Sequence, residues 1–263
     1  MKIKEVLDAL ERFAPLPLQE DYDNAGLQVG LTEAWEVSGV LLCLDVTEKV
    51  IDEALQRGCN LIVSHHPLIF RKLAHIGDQS YVERCVVKAI KNDVAVVSMH
   101  TNLDNACGGV NFKMAQRLSL NDVRFLSEPR TECGVEGASG VIGTLPEPMS
   151  ATHFVEMVKK EFMVECVQAN ELLQRPISRV ALCGGAGAFL LGDALRAGAD
   201  AFITGEMHYH DFFGTEQQLQ ICVIGHYQSE QYTPELLKEI ISRECAGVNC
   251  YITAVNTNPI IYI

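Results

Sequence analysis

Histidine and carboxylate side chains recur immediately after apolar runs in this sequence, in a pattern that is typical of a metal site. Four such groups occur along the chain: His65-His66, His100 with Asp104, Glu206 with His208 and His210, and His226 with Glu230. Imidazole and carboxylate groups together suit Zn, Fe, Mn or Ni, and no cysteine joins the set. The side-chain types therefore predict a site for divalent metal ions.

Two of these groups share a spacing in which an acid follows a histidine by four residues. Asp104 follows His100, and Glu230 follows His226. On a helical turn this spacing places both side chains on one face, toward one ion. A surface pair on a short helix has the same spacing, so each pair alone leaves both interpretations open. Their occurrence at equivalent points of two similar segments favours metal binding.

The segments between these groups predict the elements that position them. Apolar runs over 39–44, 60–64 and 94–98 alternate with helical patterns over 48–57 and 81–91. This alternation predicts an α/β fold with parallel strands joined by helical crossovers. In such an open sheet, ligands bind beyond the carboxyl ends of the strands. The histidines and acids stand at those ends.

A segment in the second part of the chain resembles a segment in the first. Leu42 and Cys43 align with Leu182 and Cys183 at a constant offset, and His226 follows its apolar run as His100 does. We therefore predict two related α/β halves with mostly parallel mixed sheets, which face a central metal-binding cleft. The polar, glycine-rich stretch 131–140 divides them into residues 1–130 and 131–263. C-terminal strands are expected to return to the first half.

Composition excludes several classes of protein. Of 263 residues, 48% are hydrophobic and 21% are charged, which is typical of a chain with a buried core. The net charge of -13 argues against a broad nucleic-acid-binding surface, which needs clustered Lys and Arg.

The N-terminal pattern predicts an amphipathic helix rather than a secretory signal, and no segment is typical of a membrane span. The ten cysteines, without a CxxC pair, then indicate reduced thiols in the cytoplasm.

Two glycine-rich segments have more than one interpretation. Gly184-Gly-Ala-Gly187 follows a predicted strand, as phosphate-binding turns do, but it lacks the GxGxxG spacing and the Lys-Ser/Thr of a P-loop. A tight turn in front of a small-residue helix is the favoured interpretation. The turn-rich segment 21–30 is either structural or lines a pocket.

The roles of His208 and His210 stay open, and His75 and His153 are expected to be structural.

Five motifs taken together resemble the NIF-three-like family, whose members are named GTP cyclohydrolase I type 2 homologues. In chain order they cover residues 23–30, 64–68, 100–104, 204–206 and 226–230. The family usually has Trp at the position of Tyr22, and longer members carry an inserted domain near 131–140. The resemblance implies two α/β halves, two divalent metal ions and a ring-shaped homohexamer. The metal ligands it implies are His65, His66, Asp104, His226 and Glu230.

The function implied by this resemblance is a dinuclear-metal-dependent hydrolase that opens the guanine imidazole ring of GTP. Glu230, Glu206 and His100 are the predicted catalytic residues, with Glu230 or Glu206 transferring protons. The expected partners are a small-molecule substrate, GTP or another nucleotide, and further copies of the chain. The alternative is a metal-binding, metal-delivery or regulatory protein without this activity. No spacing identifies a basic triphosphate clamp, for which Arg71, Lys72 and Lys113 are the candidates.

Overall fold

A computed structural model describes residues 1–261 and 263 and contains two compact units. The first unit comprises Met1–Leu103 and Thr233–Ile263, and the second comprises Asp104–Tyr232. Each unit has a mixed β-sheet flanked by helices, so the predicted α/β fold is confirmed. The boundary expected between residues 130 and 131 lies inside the second unit. The polar sequence there forms an antiparallel hairpin, whose turn residues Cys133 and Gly134 both have positive φ.

The elements are short and alternate along most of the chain. The helices are α1 (Ile3–Phe13), α2 (Glu48–Gln56), α3 (Tyr81–Lys91), α4 (Thr101–Asn105), α5 (Val110–Arg117), α6 (Ala151–Glu161), α7 (Leu191–Arg196), α8 (His226–Glu230) and α9 (Thr233–Glu244). The strands are β1 (Gly26–Val29), β2 (Val40–Cys43), β3 (Leu61–Ser64), β4 (Ala95–Ser98), β5 (Asn121–Phe125), β6 (Arg130–Glu132), β7 (Val135–Gly137), β8 (Val141–Met149), β9 (Gln168–Ala169), β10 (Ile177–Cys183), β11 (Ala201–Thr204), β12 (Gln220–Val223) and β13 (Cys250–Ile252). Within the described residues, every helix is too short or too polar to cross a lipid bilayer.

The sheet of the first unit has the order β1-β4-β3-β2-β13. Strands β4, β3, β2 and β13 are parallel, and β1 pairs antiparallel with β4 at one edge. Ser64 at the end of β3 lies opposite both Cys43 and Ser98. The three strands therefore end level, and the residues that follow them emerge at one edge of the sheet.

The sheet of the second unit has the order β5-β8-β10-β11-β12-β9. Its centre, β10-β11-β12, is parallel, and the outer strands pair antiparallel. Both faces of β10 are buried: Val180 and Leu182 pack in one apolar cluster, and Ala181 and Cys183 pack in another. A strand buried on both faces has a continuous apolar sequence. Thr204 lies opposite both Cys183 and Val223, so these strands also end level.

The internal repeat of the sequence has a counterpart in strand register. Val40 pairs with Leu61 in the first unit, and the equivalent residues Val180 and Ala201 pair in the second. Helix α2, which follows β2, begins and ends at residues that are typical of helix ends. Thr47 caps α2 by accepting a hydrogen bond from the Val50 N–H, and Gly58 follows the helix with φ +68°.

Candidate functional site

Three histidines meet at the carboxyl edge of the first sheet. His65 and His66 follow β3, and His100 follows β4. The ring centroids of each pair are between 4.9 and 5.5 Å apart. Each ring offers one nitrogen, and the three nitrogens lie within 4.8 Å of one another. This donor set fits a divalent transition-metal ion, for which imidazole is a common ligand.

The rings of His65 and His66 are oriented by oxygen acceptors. His65, which is fully buried, donates from Nδ1 to the carbonyl oxygen of Met99 at 2.8 Å, so its lone pair is on Nε2. His66 Nδ1 lies 2.7 Å from Asp45 Oδ1, and Asp45 Oδ2 accepts from the Thr257 hydroxyl at 2.8 Å. Burial raises the pKa of Asp45, but the bonds from His66 and Thr257 outweigh it and lower that pKa. Metal-binding histidines are commonly held in this way.

His100 is oriented by Asp23. Its Nδ1 lies 2.7 Å from Asp23 Oδ1, and Asp23 Oδ2 accepts hydrogen bonds from the Thr101 hydroxyl and, at 3.1 Å, from the Thr101 N–H. Burial raises the pKa of Asp23, but His100, Thr101 and the Asn24 N–H together lower it to about 2. Asp23 is therefore a carboxylate at neutral pH, and it fixes the His100 ring beside the other two.

Sequence reasoning missed one of these carboxylates and left the other open. Asp45 lies two residues after β2. Because ligands bind beyond the carboxyl ends of the strands in an open sheet, its position identifies it as a candidate in the same way as the histidines. Asp23 lies 77 residues from His100 in the chain, and only its place in a turn-rich segment pointed to a pocket.

In the second unit, His226 lies between two carboxylates. Its Nε2 is 3.2 Å from Glu230 Oε2, and its Nδ1 is 2.9 Å from Glu206 Oε1. Both His226 and Glu230 belong to α8, a single helical turn, as their spacing predicts. Glu230 is buried, whereas the Glu206 side chain is about half exposed, at 56%. Glu206 thus orients the imidazole from the solvent side.

The Gly184–Gly187 turn packs directly against this carboxylate. A Cβ on Gly185 would lie 2.4 Å from Glu230 Oε1, and a Cβ on Gly184 would lie 3.4 Å from Glu230 Cγ. Gly205 is similarly confined, since its Cβ would lie 2.7 Å from the Gly185 carbonyl oxygen. A Cβ at Gly185 would therefore displace the Glu230 carboxylate, and a Cβ at Gly205 would overlap the Gly185 backbone.

The N–H groups of the same turn already have acceptors inside the unit. Gly184 donates to Asn111 Oδ1 at 2.9 Å, and Gly185 donates to the Ser229 hydroxyl at 2.9 Å. Gly187 donates to the hydroxyl of Thr204 at 3.0 Å. A phosphate-binding turn directs such N–H groups at its ligand. The arrangement instead supports the structural interpretation of this turn.

The remaining candidates occupy other positions. Asp104 lies in α4, and its carbonyl accepts from the Asn111 amide at 3.0 Å. His210 lies in an exposed turn, with its ring 5.2 Å from that of Tyr209. His153 is exposed on α6, and His75 lies 3.8 Å from Glu83.

Comparison with known proteins identifies relatives along almost the whole chain. The family model described as Duf34/NIF3 (NGG1p interacting factor 3) matches residues 1–259. A Clostridium perfringens protein named GTP cyclohydrolase 1 type 2 homolog is 35% identical over 241 residues, which cover 90% of this chain and 89% of that protein. A Lactococcus lactis protein of the same name is 32% identical, with 98% of each chain covered. A Staphylococcus aureus hypothetical protein of known crystal structure matches with a TM-score of 0.90 and 27% identity, over 100% of this chain and 99% of that one.

Proposed function

Because the chain belongs to the Duf34/NIF3 family, we propose that it is a metal-dependent hydrolase whose substrate is a nucleotide, with GTP the first candidate. The observation that carries the proposal is the group of three histidines whose Nδ1 atoms all contact oxygen acceptors. Such buttressing is typical of rings that hold a metal through Nε2. The names of the Clostridium perfringens and Lactococcus lactis relatives support a cyclohydrolase reaction at this site.

The proposed site holds two divalent ions, with Zn, Fe, Mn and Ni as candidates. The proposed ligands are His65, His66, Asp104, His226 and Glu230, all imidazole or carboxylate groups. The ions would supply the Lewis acidity that makes hydroxide available from water at neutral pH. The three imidazole nitrogens that lie within 4.8 Å of one another, and the His226–Glu230 pair, support this assignment.

The proposed reaction hydrolyses the five-membered ring of guanine. One water adds to C8 and the C8–N9 bond breaks, which leaves a formamide, and a second water releases formate from it. Glu230, whose side chain is longer than that of Asp104, accepts the proton of the attacking water. Glu206 keeps the His226 ring oriented and relays that proton to solvent. His100, held by Asp23, exchanges a proton with the substrate.

The test is formate release from GTP by the purified full-length protein, with Zn, Fe, Mn or Ni added separately. We expect formate and a ring-opened product with at least one metal, and loss of both in His65→Ala. His153→Ala, which changes an exposed histidine on α6, is the matched control and should keep the activity. Metal binding without formate release under all four conditions would contradict the proposal.

A second candidate function is metal binding or delivery, or a regulatory role, without GTP hydrolysis. The observation that favours it is the Gly184–Gly187 turn, in which three N–H groups are bound by side chains instead of facing a ligand. A triphosphate would then depend on side-chain cations alone. Stoichiometric metal binding together with no formate release from GTP would favour this second function over GTP hydrolysis.

A further inference from the structure

Two exposed aromatic rings stand beside the three histidines of the first unit. The Phe70 ring lies 6.1 Å from the His100 ring, edge to face, and the Tyr22 ring lies 6.5 Å from that of Phe70, also edge to face, with an interplanar angle of 68°. Phe70 is 47% exposed and Tyr22 is 66% exposed. Apolar and aromatic surface next to a few convergent polar groups is typical of a small-molecule site.

These rings are carried by two loops that hydrogen bonds tie together. The Asn24 amide donates to the Ile69 carbonyl oxygen at 2.6 Å, and Gln28 Oε1 accepts from the Ile69 N–H at 3.1 Å. Gln28 also donates to the Asn24 carbonyl oxygen at 2.6 Å. Asn24 and Gln28 thus fix the residue before Phe70 relative to the loop that carries Tyr22. Preorganised rings of this kind lose little conformational entropy when a ligand binds.

Two cationic residues follow Phe70 in the chain. Arg71 and Lys72 are exposed, and among residues 1–261 and 263 neither has a carboxylate partner. In the same unit Arg57, Arg84 and Lys88 are each paired with an acid. In a chain of net charge -13, adjacent cations without acidic partners provide local complementarity to an anion.

We propose that Phe70 binds the planar base of a purine nucleotide by stacking, that Tyr22, whose ring meets Phe70 edge to face, contacts the edge of that base, and that Arg71 and Lys72 neutralise the phosphates. This inference rests on the proposed function and assigns the residues of the same site that hold the nucleotide. Because the Phe70 ring lies 6.1 Å from the His100 ring, a base stacked on Phe70 is held near the edge of the sheet where the three histidines meet. Stacking on aromatic side chains is available to any base, so the phosphates and the reacting ring position the nucleotide.

The first test is the affinity of the full-length protein for GMP, measured by calorimetry with the metal content of each sample determined. Phe70→Leu and Tyr22→Leu keep apolar volume but remove the aromatic face, and each should weaken GMP binding by about 5- to 150-fold. Phe70→Trp should retain the affinity, and metal content should not change in any of these variants. Phe213→Leu, which alters a ring 59% exposed in the second unit, is the matched control.

The second test separates base from phosphate. The double variant Arg71→Gln/Lys72→Gln should weaken GMP binding but leave guanosine binding unchanged, whereas Phe70→Leu should leave ribose 5-phosphate binding unchanged. Unchanged GMP affinity in both aromatic variants would overturn the inference. A fall in assembly mass in those variants, measured by light scattering, would also overturn it, because the rings would then be subunit contacts.

The two proposals fail in different ways. GMP binding that depends on Phe70, in a protein that releases no formate from GTP, would support the nucleotide subsite and contradict the hydrolase. Formate release with an unchanged KM in both Phe70→Leu and Tyr22→Leu would contradict the subsite alone.

Discussion

Gly185 and Glu230 approach so closely that no side chain fits between them. A Cβ on Gly185 would lie 2.4 Å from Glu230 Oε1, and Gly185 itself has φ +58°. Its carbonyl oxygen accepts hydrogen bonds from the N–H groups of Gly205 and Glu206 at 2.9 and 3.0 Å. A side chain at position 185 would therefore push the Glu230 carboxylate out of its place.

Gly185→Ala should destabilise the protein and displace Glu230. The added methyl group introduces left-handed backbone strain and an overlap with the carboxylate, which together amount to about 2–4 kcal/mol. The midpoint of urea unfolding measures the loss. Gly134→Ala is the control, because Gly134 has φ +81° but open space around its Cβ position. Equal losses in the two variants would show that the contact with Glu230 has no effect on stability.

Asp200 should make stability depend on pH in the acid range. Burial raises its pKa, but hydrogen bonds from the N–H groups of Arg179 and Ser178 and from the Arg175 guanidinium outweigh it and lower the pKa. A depressed pKa in the folded state means that stabilisation is complete above the unfolded value of about 3.9 and is lost as pH falls through the folded value.

Asp200→Asn should therefore reduce the free energy of unfolding at pH 7 by about 1–2 kcal/mol and flatten its decline below about pH 4. Urea unfolding between pH 2.5 and 7 measures both effects. Asp122→Asn, which changes an exposed aspartate of the same unit, should follow the wild type. If the free energy of unfolding of Asp200→Asn fell below pH 4 with the same slope as that of the wild type, this role of Asp200 would be refuted.

His65→Ala and His226→Ala should each lower the metal content of the purified protein. Each variant removes one proposed ligand and leaves only its hydrogen-bond partner, the Met99 carbonyl oxygen or the Glu206 carboxylate. Elemental analysis after dialysis measures the content, with His153→Ala as the control. If either variant retained the wild-type metal content, that histidine would not be a ligand.

Glu230→Gln should keep at least one metal ion and lose most of the hydrolytic activity. The amide has the size of the carboxylate, but it has almost no basicity and cannot accept the proton of water. Metal content and the rate of formate release, measured on the same sample, decide the outcome. Glu235→Gln, on the neighbouring helix α9, is the control. Unchanged turnover and unchanged metal content in Glu230→Gln would show that Glu230 only pairs with His226.

The protein should assemble as a homohexamer, as the resemblance to its family implies. Exposed apolar side chains such as Leu31 and Ile76 provide surface for contacts between copies. Light scattering coupled to gel filtration gives the mass directly. A mass equal to that of a single chain at micromolar concentration would contradict the assembly.

The strands that carry the site were predictable because parallel strands buried on both faces have continuous apolar sequences. Helix α3 begins and ends where its periodicity predicts, at Tyr81 and Lys91. The boundary between the two units was harder to predict from the sequence, since a polar, glycine-rich stretch is typical of a linker and of a hairpin alike. At residues 130–137 it forms a hairpin within the second unit.

The contacts that orient the histidines could not be predicted from the sequence, for a different reason. Local sequence encodes helices, strands and their ends, but Asp23 and His100 meet only when distant segments fold together. The same applies to Gly185, whose need for glycine arises from Glu230 and not from the turn alone. Spacing therefore predicted which residue types would stand at the strand ends, while their partners required the tertiary structure.

The placement of β13 has a consequence for synthesis on the ribosome. This strand pairs with β2 through Cys250 and Val40, so the sheet that begins first in the chain is completed after all of the second unit has been made. Asp104–Tyr232 is continuous in sequence, so every strand of the second unit has been synthesised before β13. Until β13 arrives, the unpaired edge of β2 is open to other nascent chains. Chains that terminate before Cys250 should consequently be more prone to aggregation than chains that terminate after the strand.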